Sequence, residues 1–456
     1  MDGICESDNL WVNPADIELS RPLTEENLPQ SGGKLASCQP LVSVIMPVYN
    51  AEAYIAHTLN SVISQTYKNI EVIVVDDGSC DGTAQIVETI ARRDARITLL
   101  RRSNLGVAAA RNLAIQKSRG EYIAPIDADD IWYPQKIEKQ VHCMLHADPS
   151  IGLVYAWSVH IDERGLLTGG FNASDIEGDV FPVLIVSNFI GNSSAPLIRR
   201  VCFEQVGRYS TRLFKLNAQG CEDRDLYLRI AEYYKFRVVK EFLVGYRRVN
   251  SCMSFNYKSM EKSNGVVIGD VKQRYPNIPS FVYRWSKSHY YLYLSNQSRS
   301  CAHYWTSILY LYKAARMDLV FLLYTNFHRT LISNVLRLVK QAVIFTVRVV
   351  HCPSTRIFEN ASPSQEEITI SDIVIRSSRP PSGLTNLYRI RLQLIQRLFK
   401  EWKLARIFEM ASPNREEITI SDIAIRSSRP PSGLIKLYRI RQQLIQRLFK
   451  EWKSVR

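Results

Sequence analysis

The feature that most constrains this chain is an alternation of two periodicities between residues 41 and 146. Apolar runs at 41–47, 70–75, 97–100 and 121–126 take turns with helical patterns at 52–65, 83–93, 105–117 and from Pro134 to about His146. Pro134 stands where a proline opens a helix. This β-α-β-α-β-α-β order with short links predicts an α/β fold with a largely parallel sheet and helices on both faces. In such sheets ligands bind beyond the carboxyl ends of the strands. Two acidic clusters, Asp76-Asp77-Gly78-Ser79 and Asp127-Ala128-Asp129-Asp130, fall at those ends. The pattern therefore places both on one rim.

The rest of the chain divides by composition. Residues 1–40 are rich in Pro, Ser, Asn and Glu without periodicity, and are expected to be a flexible leader. The α/β domain is expected over 41–255, with short β runs at 152–160, 195–198, 236–239 and 243–246 around a helix at 222–233. Residues 256–350 read as helical, basic and aromatic. Residues 356–403 and 406–453 repeat at a period of 50 with 41 of 48 positions identical, a recent duplication rather than a solenoid. Each copy ends in a basic helix whose Leu387, Ile390, Leu394, Leu398 and Trp402 (first-copy numbers) form one stripe. That helix suits a membrane surface, or packing onto the enzyme or onto the other copy.

Charge sharpens the division. Residues 1–280 hold 30 Lys+Arg and 33 Asp+Glu, and residues 281–456 hold 28 and 11, so a chain of net +14 keeps its excess in the second part. Such asymmetry suggests an anionic partner, membrane surface or nucleic acid, with a plain solvated face as the bland reading. The tail lacks a nucleic-acid-binding motif, so no nucleic acid is expected. The composition, 46% hydrophobic and 22% charged, excludes a disordered or collagen-like chain. Nine scattered cysteines contain no Cys-x-x-Cys, which argues against a zinc ribbon or a disulfide framework and fits a reducing cytoplasm. The acidic start is no signal peptide, and no apolar run is long enough to span a bilayer. The expected place is the cytoplasm, peripheral on the inner face of the membrane.

Chemistry concentrates in the acids. Asp127 and Asp129, in a turn after a buried strand, suit a divalent cation, Mg²⁺ or Mn²⁺, because magnesium is usually held by one or two carboxylates and by phosphate oxygens. Asp130 either caps the following helix or contacts sugar. Asp76 and Asp77 can accept hydrogen bonds from a base N–H or ribose hydroxyls; capping of the next helix falls to Asp81 or Ser79. Asn104-Leu105-Gly106 opens a helix carrying Arg111, which either contacts a nucleotide or pairs with one of the acids. Glu222 and Asp223 begin a helix, where the macrodipole favours acids in any case. The functional reading makes Asp223 a general base.

As an ordered set, Val44-Ile45-Met46-Pro47-Val48-Tyr49-Asn50, Asp76-Asp77-Gly78-Ser79, Asn104-Leu105-Gly106 through Arg111-Asn112, Asp127-Ala128-Asp129-Asp130 and Glu222-Asp223 resemble the inverting glycosyltransferases of family 2 with the GT-A fold. The resemblance covers residues 41–255. It implies a nucleotide-sugar donor, and a glycan or lipid-linked acceptor of the kind used to build cell-envelope polysaccharide. It implies that Asp77 binds the nucleobase, with Pro47 and Tyr49 lining the pocket; Asp76, Arg111, Asp130 and Glu222 are the further residues expected to bind the nucleotide sugar. Asp129 becomes the main metal ligand, Asp127 a helper to ribose or metal, and Asp223 the base. The family often carries a His where Val249 stands here.

Three other readings compete. A processive polysaccharide synthase would carry membrane spans and a Gln-x-x-Arg-Trp motif, and neither is seen. A sugar nucleotidyltransferase would want a Gly-rich phosphate loop after the first strand, and Pro47-Val48-Tyr49-Asn50 is not one. A non-catalytic module with a basic membrane-binding tail would not need the full set of acids.

Overall fold

Strands form where β-branched runs can be covered on both faces. The computed structural model describes residues 39–249, 253–323 and 325–350, together with Gln396. The expected leader and the tandem segments 356–403 and 406–453 thus lie outside the described residues, apart from Gln39, Pro40 and Gln396. β1 (Val42–Val48) is buried along its whole length and pairs in parallel with β2 (Ile70–Asp76), Val42 opposite Ile70. α1 (Ile55–Ile63) links them. α2 (Thr83–Ala91) leads to β3 (Ile97–Arg101), and α3 (Val107–Lys117) to β4 (Tyr122–Pro125). These four strands are parallel, in the order β3-β2-β1-β4, as the alternation predicts.

Period-two alternation assigns side chains to the two layers. Val42, Val44, Met46, Val72 and Val74 pack with Ile55, Leu59 and Val62 of α1 and with Val87 of α2. Ile45, Ile73, Val75 and Ile123 face the other side, against Ala108, Ala110 and Ala114 of α3. The alanines let that helix lie close to the sheet. Truncating a fully buried residue such as Ile45 to Ala costs about 2–5 kcal/mol.

Beyond β4 the sheet becomes mixed. β5 (Ile131–Trp132) is followed by α4 (Lys136–Leu145), β6 (Ile151–Ile161), β7 (Leu167–Asn172), α5 (Phe181–Val186), β8 (Pro196–Arg199), α6 (Arg200–Val206), α7 (Arg212–Lys215), α8 (Glu222–Ala231) and β9 (Lys235–Arg247). The nine strands run β3-β2-β1-β4-β8-β6-β9-β5, with β7 paired to β6. β9 is one long strand where two short ones are expected. Lys240-Glu241 interrupts the apolar run, and the ladder with β6 absorbs it as a register shift between Ala156 and Trp157. β5 and β7 are not expected from the sequence; one is two residues long and the other is mostly half-exposed with two glycines.

The C-terminal part is helical, as expected: α9 (Tyr257–Arg274), α10 (Ser280–Ser300), α11 (Tyr304–Met317) and α12 (Thr325–Val350). Tyr291 and Leu294 of α10 join the same core as α5 and α8. This places α10 along the rim that the carboxyl ends of the strands define. No described helix is long and apolar enough to cross a membrane.

Candidate active site

A cleft of about 1020 Å³ opens at that rim. Pro47, Val48, Tyr49 and Asn50 from the end of β1 form one wall, and Tyr49 is 52% exposed. Asn50 adopts φ +48, a left-handed conformation that asparagine tolerates better than most residues. Its amide donates to Ser79 Oγ, and its Oδ1 accepts from the Cys80 amide, which ties the β1 and β2 turns together.

Asp77 lines the cleft, and both its oxygens hold the start of α3, accepting from the amides of Leu105 (3.1 Å) and Gly106 (2.7 Å). Burial pushes its pKa up, against those two bonds and Arg102. Gly106 has φ +89, and a Cβ there would meet Phe214 Cδ2 at 2.5 Å. Only glycine can present its amide to Asp77 in that pose. Asp76 lies off the cleft wall: it is buried and accepts from the Ser79 amide, closing its own turn. Asp81 accepts from the Thr83 amide and hydroxyl at the start of α2, whose N-cap is Gly82 rather than the expected Asp81 or Ser79.

The turn after β4 carries the second acidic cluster. Asp127 accepts from Arg111 Nη2 at 2.5 Å and from Ser193 Oγ. Arg111 is 5% exposed and also donates to Ser193 Oγ. Burial by itself disfavours the cation, but Asp127, with Tyr209 and Asp223, outweighs it and holds the arginine more firmly charged than usual. Of the two roles open to Arg111, pairing with an acid is the one made here. Asp129 lines the cleft, and its carbonyl accepts from Arg247 Nε.

Asp130 turns inward instead. It is fully buried and accepts from Ser194 Oγ and the Arg247 amide, and it does not line the cleft. Burial, then Asp129 and Asp127, push its pKa well above the usual range. Nor does it cap α4, whose N-cap is Gln135. Its carboxylate braces the turn from within, while Thr58 Oγ1 holds the Ala128 carbonyl.

Glu222 and Asp223 line the cleft at the start of α8. Glu222 accepts from the Gly220 amide, and burial raises its pKa. Asp223 stays partly open to the cleft and accepts from Asn188 Nδ2 (3.2 Å) and the Arg224 amide (2.7 Å). Burial raises its pKa too, although Arg111 pulls the other way. Arg224 locks this stretch in place by donating to the carbonyls of Leu184 and Ile185 in α5. Val249 is buried and lines the cleft, so this loop offers no imidazole there.

Several cleft residues escape sequence reasoning. Ser193 and Ser194, which lock the acidic turn, lie in the polar run Gly191-Asn192-Ser193-Ser194 inside an otherwise apolar stretch, and that contrast was the available signal. His160 of β6 lines the far wall beside Tyr246, ring centroids 5.9 Å apart. Burial, helped by Arg248, lowers its pKa to about 4, so it is neutral at physiological pH. Tyr290, Tyr293, Asn296 and Gln297 of α10 close that end. No local pattern marks them.

Asp127 and Asp129 offer a cation two carboxylates on one turn, which matches the protein share of a magnesium site whose other ligands are phosphate oxygens. Among the described residues no group of three or more His, Cys, Asp and Glu is arranged to hold a metal. Two carboxylates would leave the remaining positions of such an ion to other oxygens.

Comparison with known proteins adds the following. The model of the family described as "Glycosyl transferase family 2" matches residues 43–204. An uncharacterized glycosyltransferase of Methanocaldococcus jannaschii is 31% identical over 216 residues, 46% of this chain and 72% of that protein. A putative teichuronic acid biosynthesis glycosyltransferase of Bacillus subtilis is 43% identical over 112 residues, 24% of this chain and 44% of that protein. An uncharacterized glycosyltransferase of Rickettsia bellii is 33% identical over 190 residues, 42% of this chain but 26% of that protein. The chain thus spans less than half the length of two of these three relatives.

Proposed function

This chain belongs to glycosyl transferase family 2, and we propose that it moves a sugar from a nucleoside-diphosphate sugar to an acceptor hydroxyl, with inversion, in a single displacement. The observation that carries the reading is that two acidic stretches line one cleft. One is the Asp127–Asp129 turn, fixed by Arg111, Ser193 and Arg247. The other presents Asp223, held by Asn188 and made more basic by burial.

In this reading Asp77 and Tyr49 receive the nucleoside, and Asp77 does so with the lone pairs that the Leu105 and Gly106 amides leave over. Asp129 and Asp127 would hold Mg²⁺ or Mn²⁺, which supplies charge stabilisation for the departing diphosphate. Asp223 accepts the proton of the acceptor hydroxyl as its oxygen attacks the anomeric carbon opposite the leaving group; its raised pKa makes it the stronger base. The acceptor enters past His160 and α10, where a neutral imidazole, tyrosines and amides suit sugar hydroxyls. The acceptor class we propose is a glycan or lipid-linked glycan of the cell envelope; the name of the Bacillus subtilis relative points the same way.

The test is nucleoside-diphosphate release from a panel of nucleotide sugars, with and without Mn²⁺ or Mg²⁺, for the wild type, Asp129→Ala and Asp223→Asn. Metal-dependent release from one donor, lost in both variants, supports the reading. Donor binding unchanged in Asp223→Asn, with turnover down about 10²–10⁴-fold, assigns the base. A wild type that neither binds nor hydrolyses any donor refutes it in favour of a non-catalytic module.

A further inference from the structure

α12 turns two different faces outward and inward. Phe327, Leu331 and Asn334 pack inward, Asn334 donating to Ser307 Oγ of α11 and Phe327 joining Leu311 and Phe321. Round the helix from that face, Ile332, Val335, Leu336 and Val339 are 58%, 45%, 64% and 55% exposed. Their spacing of three, one and three residues makes them a single stripe along the outer side. Arg329 and Lys340 are exposed at its flank. From Leu319 to Val350 the sequence has four Lys+Arg and no acid.

From this face we infer that α12 is an interfacial helix that lies on an anionic lipid bilayer, its apolar stripe in the headgroup boundary and its cations at the phosphates. Charge selects this occupant over the two protein alternatives. A second copy docking face to face would oppose two acid-free cationic helices. The chain's own residues 351–456 carry 19 Lys+Arg and ten acids, so they too are net positive. The anchoring is independent of the transfer reaction.

The test is sedimentation of the full chain with phosphatidylcholine vesicles, with and without phosphatidylglycerol, compared with Ile332→Glu/Leu336→Glu and with Arg329→Glu/Lys340→Glu. The expected result is binding only to the anionic vesicles, weakened by salt and reduced about tenfold or more by either pair of substitutions. Unchanged circular dichroism shows that the variants fold. Vesicles should also slow amide exchange across residues 328–341. Wild-type protein that ignores anionic vesicles overturns the inference. So does a double variant that binds as well as the wild type, which would move the anchor elsewhere in the basic part. A lipid-free dimer that Ile332→Glu/Leu336→Glu converts to monomer overturns it in favour of a second copy.

Discussion

Replacing Arg111 with Met tests how the acidic turn is held. The guanidinium is 5% exposed, while the Asp127 carboxylate remains 32% exposed toward the cleft. Breaking a fully buried pair by removing one partner costs about 3–5 kcal/mol, and an exposed pair is worth at most about 1 kcal/mol. With one partner buried and the other a third open to water, Arg111→Met should cost about 2–3 kcal/mol. Asp127→Asn should cost about as much, because it leaves a buried cation without its carboxylate. The double variant removes both charges and should be less destabilised than the sum, with a coupling of about 1–2 kcal/mol. Urea unfolding followed by tryptophan fluorescence measures all four proteins. Turnover should fall about 10²-fold in Arg111→Met, because the turn loses its alignment. Additivity of the two single changes to within about 0.3 kcal/mol would refute the argument: the turn would then be held by Ser193, Ser194 and Arg247 without the ion pair.

Other expectations are as specific. Gly106→Ala should destabilise the protein by about 2–4 kcal/mol, because φ +89 and the 2.5 Å approach to Phe214 both oppose a Cβ; a melt unchanged from wild type would show that the α3 start is not fixed. Activity should fall on the acid side with a midpoint above 3.8, since burial raises Asp223 and only its ionised form accepts a proton; full kcat/KM persisting below 3.8 would remove Asp223 as the base. Because burial lowers the His160 pKa to about 4, the unfolded chain takes up its proton first, and stability falls by up to about 3 kcal/mol as pH drops from the unfolded value of 6.5 toward 4. His160→Gln should flatten the pH dependence of urea unfolding over that window, and an unaltered slope would contradict the buried neutral imidazole.

Much of the site was legible because its determinants are local. A buried strand, a helical period and an acidic turn at their junction are encoded within about ten residues, and strand polarity then gathers every such turn on one rim. So β1 to β4, the positions of Asp77, Asp127 and Asp129, and the helix behind Asp223 follow from the sequence alone. Tertiary structure decided which acids face the cleft. Asp76 and Asp130 look like their neighbours in the chain, yet both turn from the cleft: Asp76 closes its own turn on the Ser79 amide, and Asp130 is held by Ser194 and Arg247, 64 and 117 residues distant, which no local pattern announces. The far wall from His160 to Gln297 was equally hidden. It joins β6, β9 and α10 across more than a hundred residues, and hydrophobic periodicity reports only that a side chain is buried, never which distant surface buries it.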